Sequence, residues 1–168
     1  MDHPAPVGDL DKLDNEWIWG KTGVGKSFTA RKENPGAFIH LKNKWWLGYK
    51  GQDVVIFDDV SKSEAVWMGD KLKTYCDHYA FPCETKNDGS VIRPKRIIVT
   101  SNYTIEELWG HDEDLCDSLL RRFKVRNIVV PFVMPAMEMG DDDAEPCFSA
   151  WAEHSAHSQE EASDSFID

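Results

Sequence analysis

The chain has 168 residues, of which 41% are hydrophobic and 29% are charged, and its formal net charge at pH 7 is −11. This length is enough for one α/β domain with a hydrophobic core and leaves little room for a second domain. No apolar run approaches the ~20 residues of a membrane span, and residues 1–4 lack the basic and apolar regions of a secretion signal, so we expect a soluble, intracellular protein without a membrane partner.

The first predicted strand leads directly into a glycine-rich loop. Residues 16–27 place an apolar run before the pattern G-x-x-x-x-G-K-[ST], which is typical of loops that bind nucleoside triphosphates. Its glycines allow successive N–H groups to surround an anion at the start of the next helix, which Pro35 and Gly36 should end. Lys26 is expected to reach the β- and γ-phosphates, and Ser27 to ligate Mg²⁺. The predicted ATP-binding residues are Gly20, Lys21, Thr22, Gly23, Val24, Gly25, Lys26 and Ser27.

An apolar run at residues 53–59 ends in two carboxylates, Asp58 and Asp59, and follows a shorter predicted strand at residues 37–41. A buried parallel strand presents its ligand-facing groups at its carboxyl end, beside the phosphate loop. Asp58 is therefore predicted to hold Mg²⁺, and Asp59 to orient and deprotonate the water that attacks the γ-phosphate. The alternative is that Asp59 caps a helix that begins near Ser61 and Glu64.

Aromatic residues cluster between these two strands, where Trp45 and Trp46 are followed by Tyr49. Aromatic faces can stack on any nucleic-acid base. Packing between a loop and the sheet is the favoured interpretation, because tryptophan buries a large apolar area.

A β-hairpin is predicted at residues 81–93, after a helix at about residues 63–79, because two β-like arms flank an Asn-Asp-Gly turn. Lys86 lies near its tip, and the return arm leads into the basic residues Arg93, Lys95 and Arg96. Such a cluster suits a DNA phosphate backbone. From this segment alone, a DNA-binding hairpin and a solvated surface hairpin are equally favoured.

Two further polar residues have possible catalytic roles. Asn102 follows a strand predicted at residues 96–101, where its amide can hydrogen-bond the γ-phosphate and the attacking water. The alternative is a turn residue before the capping box of Thr104 and Glu107. Arg121 lies where a helix gives way to a strand, and it could neutralise charge on a neighbouring subunit's γ-phosphate. A helix C-terminus also attracts arginine without any such role.

The negative charge is concentrated at the C-terminal end. Beyond residue 132 the chain contains Asp and Glu but no Lys or Arg, whereas residues 1–132 are nearly neutral. We predict a linker at residues 1–15, a domain at 16–132 and an acidic, disordered tail at 133–168. The four cysteines, at positions 76, 83, 116 and 147, have neither zinc-site nor disulfide-framework spacing and are expected to be reduced thiols.

Taken together, the phosphate loop, the paired aspartates, the lysine-bearing hairpin and the Ser-Asn strand resemble the superfamily 3 helicase domain of small DNA viruses. Residues 45–59, 84–89 and 97–103 are similar to the replication-associated proteins (Rep) of circular single-stranded DNA viruses of the circovirus type. The resemblance covers roughly residues 16–130. It implies an α/β P-loop fold of the AAA+ type, with a central parallel sheet flanked by helices and a protruding β-hairpin.

The resemblance also implies an activity. Rep helicase domains are hexameric ATPases that use ATP and Mg²⁺ to translocate on single-stranded DNA with 3′ to 5′ polarity during rolling-circle replication, in the host nucleus. Two positions depart from the family pattern, with Lys21 in place of the usual proline and Leu47 in place of a common acidic residue. The implied roles fall on Lys26 and Ser27 in the first motif, Asp58 and Asp59 in the second, Lys86 in the DNA-contacting hairpin, Asn102 as the sensor, and Arg121, in preference to Arg122, as the arginine finger.

Members of that family also carry an N-terminal nicking domain, which the short segment before residue 16 cannot hold. We therefore expect that this chain does not nick or rejoin DNA by itself. Two other interpretations remain open. A small-molecule P-loop kinase would need an arginine-bearing lid and an acceptor site, for which the sequence gives no pattern. A catalytically decayed relative would only bind DNA or partner subunits.

Overall fold

Parallel strands at the centre of the fold bring the sequence motifs to one edge. The computed structural model describes residues 8–84, 89–130 and 133, and these residues belong to the compact unit 1–133. In chain order its elements are β1 (Asn15–Trp19), α1 (Lys26–Glu33), β2 (Phe38–His40), β3 (Val54–Val60), α2 (Lys62–Tyr75), β4 (Phe81–Glu84), β5 (Gly89–Ile92), β6 (Arg96–Ser101), α3 (Ile105–Trp109), α4 (Glu113–Arg122) and β7 (Phe123–Asn127).

The main sheet has the strand order β2-β3-β6-β1-β7, and every neighbouring pair is parallel. The central strands β3 and β6 are apolar on both faces, and alternate residues of the sheet enter two separate cores. Trp17 packs in a core with residues of α2, α3 and α4, whereas Ile18 packs in a smaller core with Ala30 of α1. Helices therefore cover both faces, and the predicted α/β fold with a central parallel sheet is confirmed.

The predicted element limits agree with the structure at most positions. The strand predicted at residues 96–101 is β6 itself, and α1 ends shortly before Gly36, whose φ is 81°. The helix predicted to reach residue 79 ends at Tyr75, because the following residues bond to other segments. Asp77 pairs with a guanidinium of α4, and the His78 carbonyl accepts a hydrogen bond from the Leu10 N–H at 2.8 Å.

The predicted hairpin is confirmed as the antiparallel pair β4–β5, in which Phe81 lies opposite Ile92 and Glu84 opposite Gly89. Lys86 lies outside the described residues, so its predicted DNA contact stays a prediction. The acidic tail also lies outside them, apart from Val133, as do residues 1–7 of the predicted linker. At the end of β4 next to the turn, the Glu84 carbonyl accepts a hydrogen bond from the Trp46 N–H at 3.1 Å.

Core packing, the favoured role for the tryptophan pair, is confirmed for Trp46. Its side chain is 1% exposed and contacts the rings of Tyr75 and Phe81. Trp45 is half-buried and carries the Lys44 ammonium at 4.3 Å from its ring centroid. The pair therefore fastens the segment between β2 and β3 to the hairpin and to α2.

His40 is a buried histidine in the same cluster, and it predicts an acid-sensitive stability. Its ring lies 4.6 Å from that of Trp46 and 4.5 Å from that of Phe57, and burial lowers its pKa from 6.5 to about 4. Below pH 6.5 the His40 imidazole therefore becomes protonated in the unfolded chain but stays neutral in the native chain. The free energy of unfolding consequently falls as the pH is lowered to about 4.

We expect the free energy of unfolding to fall by about 2 kcal/mol more in wild type than in His40→Phe between pH 7 and pH 5. Denaturant titrations of both proteins at the two pH values measure this difference. Equal losses in the two proteins would show that His40 is protonated normally in the native state.

In the ranges that the structure describes, no helix is both long enough and apolar enough to cross a bilayer. The same ranges contain no group of three or more His, Cys, Asp or Glu side chains placed to hold a metal ion. This finding does not bear on Mg²⁺ bound through one or two carboxylates and substrate phosphates. Cys76, Cys83 and Cys116 are buried free thiols, and burial raises the pKa of each; Cys147 lies outside the described residues.

Candidate nucleotide-binding site

The glycine-rich loop joins the carboxyl end of β1 to the start of α1. Gly23 and Gly25 have φ values of 88° and 82°, which non-glycine residues rarely adopt, and Gly25 occupies the position before α1. At Gly20 even a methyl group would not fit, because a Cβ atom would lie 2.3 Å from the Ile128 carbonyl oxygen. The loop therefore needs its glycines both for its curvature and for close backbone contact, and it leads to the N–H groups of a helix N-terminus.

Lys26 lies at the start of α1 and is 7% exposed. Its ammonium donates hydrogen bonds to the carbonyl oxygens of Gly20 and Lys21, both at 2.9 Å, and to Asn102 Oδ1 at 2.8 Å. Burial lowers the pKa of Lys26, while the charges of Asp59 and Asp58 act in the opposite direction. The structure thus brings the side chain of Lys26, at the start of α1, next to that of Asn102, which follows β6. Contacts of these two residues with nucleotide phosphates stay predictions.

The Asp58 carboxylate accepts hydrogen bonds from side chains of two neighbouring elements, α1 and β6. Its Oδ1 accepts a hydrogen bond from Thr100 Oγ1 at 2.7 Å, and its Oδ2 accepts one from Arg31 at 2.7 Å. Burial raises the pKa of Asp58, but hydrogen bonds from Ser27, Thr100 and Arg31 outweigh this effect and leave the pKa below its usual value. The carboxylate is therefore ionised at neutral pH, and it lies beside the Ser27 hydroxyl. A metal site shared by the two residues stays a prediction.

Asp59 lies in an irregular part of β3, where the pairing with β6 shifts register between Phe57 and Val60. Its φ is 56°, and its side chain is exposed. The alternative that Asp59 caps α2 is wrong: the N-cap is Ser61, which forms a capping box with Glu64. This leaves the Asp59 carboxylate available to a ligand.

An open cleft of about 510 Å³ collects these groups, and its walls include Lys26, Ser27, Asp58, Asp59 and Asn102. This volume lies in the ordinary range for small-molecule sites. Hydroxyl and carboxylate oxygens are the ligands that Mg²⁺ prefers, and the glycine-rich loop supplies N–H groups for phosphate oxygens. The residues present therefore fit a nucleoside triphosphate with Mg²⁺, which Ser27 and Asp58 would hold.

The two candidate arginine fingers differ in environment. Arg122 is 8% exposed, and its guanidinium donates a 2.6 Å hydrogen bond to Asp77. Arg121 is exposed, at the end of α4 and directly before β7. Because Phe123 pairs with Asn15 at the start of β1, Arg121 lies at the sheet edge opposite the phosphate loop, which follows the end of β1. Arg121 is therefore remote from the cleft of its own subunit.

Arg93 and Lys95, two of the residues predicted to contact DNA, lie near the start of β6, also at the edge opposite Asn102. Lys95 pairs with Asp53 at 2.9 Å, and the Arg93 guanidinium donates to the Gly8 carbonyl oxygen. Both contacts involve exposed groups, which exchange readily with water and other partners. A role in DNA binding stays a prediction for these two residues.

Sequence reasoning missed three side chains that contact the paired aspartates. Arg31 lies one helical turn after Ser27 and therefore on the same face of α1. This spacing could have predicted that Arg31 lies near the site. Thr100 lies near the end of β6, two residues before Asn102, and this spacing was a weaker signal. Lys42, whose ammonium donates to the Asp59 carbonyl oxygen at 2.7 Å, has no sequence signal, because the contact depends on how β2 and β3 pair.

A family comparison identifies the domain. The model of the RNA helicase family matches residues 16–103, more than half of the chain, and this range contains the phosphate loop, both aspartates and Asn102. The chain belongs to this superfamily 3 helicase family. The resemblance to superfamily 3 helicases and to Rep proteins is thereby confirmed.

Sequence relatives are viral replication proteins. The replication-associated protein of beak and feather disease virus is 33% identical over 115 residues, which is 67% of this chain and 37% of that protein. The replication-associated protein of porcine circovirus 1 is 36% identical over 97 residues, or 55% of this chain and 30% of that protein. The matched part of the chain thus spans about a third of these relatives' length.

A solved structure supports the fold. The crystal structure of JCV helicase bound to a thiazolopyridinyl-phenoxyphenyl acetamide superposes with a TM-score of 0.50 at 18% sequence identity. The match covers 71% of this chain and 37% of that one. At this identity the likeness concerns the fold alone, and it agrees with the parallel sheet described above.

Proposed function

We propose that this superfamily 3 domain hydrolyses ATP to move along single-stranded DNA, as the motor of a viral replication-associated protein acting in rolling-circle replication in the host nucleus. One observation carries the proposal: an ammonium, two carboxylates and an amide converge on one cleft beside the phosphate loop. These are the groups that phosphoryl transfer to water requires. A kinase acting on a small molecule would need an acceptor pocket at the same place.

In the proposed reaction Asp59 accepts a proton from the attacking water, and Asn102 orients that water toward the γ-phosphate. Lys26 exchanges its hydrogen bonds to loop carbonyls for bonds to phosphate oxygens, which is favourable because the phosphate is charged. Arg31 and Thr100 keep the Asp58 carboxylate ionised and directed into the cleft. Mg²⁺, when bound, would neutralise charge on the β- and γ-phosphates.

We also propose that the domain works as a homo-oligomer, a hexamer by its family resemblance. The support is the position of Arg121, which is exposed at the sheet edge opposite its own cleft. A ring in which one edge of each subunit faces the other edge of the next would place this arginine at a neighbour's nucleotide. Lys86, Arg93 and Lys95 would then contact the DNA backbone.

The test is the steady-state ATPase rate of the purified chain, with and without a single-stranded DNA oligonucleotide, over a range of protein concentrations. We expect DNA to raise kcat severalfold, and the rate per subunit to rise steeply with concentration because each site needs a neighbour. Double-stranded DNA and single-stranded RNA of the same sequence are the controls. An ATPase rate that no nucleic acid changes, but that requires a small-molecule acceptor, would favour a kinase and contradict the proposal.

A further inference from the structure

Two residues with unusual backbone conformations meet beside the cleft. Among the described residues, the non-glycine residues with positive φ are Lys42, at 53°, and Asp59, at 56°. The Lys42 ammonium donates a hydrogen bond to the Asp59 carbonyl oxygen at 2.7 Å. Left-handed conformations of this kind are unfavourable for residues other than glycine and persist where surrounding contacts hold them.

The conformation of Asp59 has a geometric effect on the site. In a regular strand, adjacent side chains point to opposite faces of the sheet, so Asp58 and Asp59 could not both reach one cleft. The register shift between Phe57 and Val60 removes this restriction, because such irregularities redirect side chains. Both aspartates line the cleft as a result.

Asp59 is held on both sides of its peptide backbone. Its N–H donates to Thr100 Oγ1 at 2.8 Å, and the same hydroxyl donates its hydrogen to Asp58 Oδ1. Its carbonyl oxygen accepts from Lys42. A return of Asp59 to an ordinary β conformation would rotate these peptide groups and break the contacts.

Lys42 is itself fixed. Its side chain is 22% exposed, and its ammonium pairs with Glu64 at 3.2 Å. Its backbone N–H donates to His40 Nδ1 at 3.0 Å. Lys42 follows β2, and its ammonium contacts both the first turn of α2 and the irregular part of β3. A solvated surface lysine would make no such set of contacts.

We propose that Lys42 is a positioning residue for Asp59: it holds the Asp59 peptide in the left-handed conformation that turns the carboxylate into the cleft. The proposal rests on the proposed role of Asp59 as the base. Lys42 does not touch the nucleotide in this scheme. Its loss should therefore slow the chemical step and leave nucleotide affinity intact.

The central variant is Lys42→Met, which keeps most of the side-chain volume and removes the ammonium. Lys44→Met is the matched control, because Lys44 is exposed and contacts Trp45 and Glu84 instead. Glu64→Gln removes the other partner of Lys42 and keeps the Asp59 contact. Lys42→Asn also removes the ammonium and tolerates the positive φ at this position, and it serves as the test variant if Lys42→Met does not fold.

Two readouts are needed, and the first does not depend on activity. Amide hydrogen exchange at Asp59, followed by NMR or by mass spectrometry of a peptide covering β3, should be at least about tenfold faster in Lys42→Met. It should be unchanged in Lys44→Met and Glu64→Gln. The second readout is kcat, which should fall about 10- to 100-fold in Lys42→Met with the dissociation constant of a non-hydrolysable ATP analogue within about twofold of wild type.

Wild-type exchange at Asp59 in Lys42→Met would overturn the proposal, as would a kcat loss matched by Lys44→Met. If Lys42→Met does not fold, faster exchange at Asp59 in Lys42→Asn than in wild type supports it, and wild-type exchange in Lys42→Asn overturns it. A wild-type chain that does not hydrolyse ATP would instead refute the proposed function, and the exchange measurement would still decide whether Lys42 holds the Asp59 peptide.

Discussion

Replacing Lys26 with alanine is expected to lower the ATPase rate at least about 10²–10³-fold, the usual cost of removing one donor to charge that develops in the transition state. Lys26 is a buried cation of the cleft, and its three hydrogen bonds go to the carbonyl oxygens of Gly20 and Lys21 and to Asn102 Oδ1. No other lysine lines the same cleft in the described part of the chain. The loss of charge therefore cannot be compensated locally.

The measurement is phosphate release at saturating ATP, together with binding of a fluorescent ATP analogue. Lys73→Ala, an exposed lysine on α2, is the matched control and should retain the wild-type rate. Melting temperatures of both variants separate a catalytic loss from unfolding. An unchanged ATPase rate in Lys26→Ala would mean that the turnover comes from another site or from a contaminant, and the phosphate loop would lose its proposed role.

Replacing Arg121 with alanine is expected to lower kcat about 10³-fold or more, which is the contribution measured for arginine fingers, while ATP binding is retained. Arg121 is remote from its own cleft, so its effect must cross a subunit boundary. A mixture of Arg121→Ala and Lys26→Ala should therefore regain activity that neither variant has alone. In a random equimolar ring about one interface in four combines an intact loop with an intact finger.

Arg122→Ala is the contrasting variant. It leaves Asp77 without its 2.6 Å partner, and the Arg122 side chain is only 8% exposed, so a lower melting temperature is the expected main effect. If Arg122 were the finger instead, Arg122→Ala would regain activity when mixed with Lys26→Ala, and Arg121→Ala would keep the wild-type rate. No recovery in either mixture would contradict a finger supplied by a neighbouring subunit.

Most of the fold was predictable because its signals are local. The strand that precedes the phosphate loop, the limits of β6 and the capping box at Thr104 depend on residues close together in sequence. The end of α2 was predicted too late because contacts of Asp77 and His78 with distant segments, rather than helix propensity, end the helix. Propensity contains no information on such contacts.

In the candidate site, too, some features follow from local sequence signals and others depend on contacts between distant segments. Lys26, Ser27 and the paired aspartates follow from motifs, and parallel strands bring them to one edge. The environment of Asp59 does not follow, because its positive φ and the register shift arise from contacts between β2, β3 and β6. The apolar run before the aspartates predicts a regular strand, in which only one of two adjacent aspartates would face the ligand.

The close contact between Gly20 and Ile128 has a practical consequence. The Ile128 N–H donates to the Trp19 carbonyl oxygen at 2.9 Å, and the Ile128 carbonyl leaves no space for a side chain at Gly20. The segment that follows β7 thus packs against the glycine-rich loop, which is the loop proposed to bind the triphosphate. A small fluorophore attached at Val130 would lie near this contact, and we expect its signal to report nucleotide binding in real time.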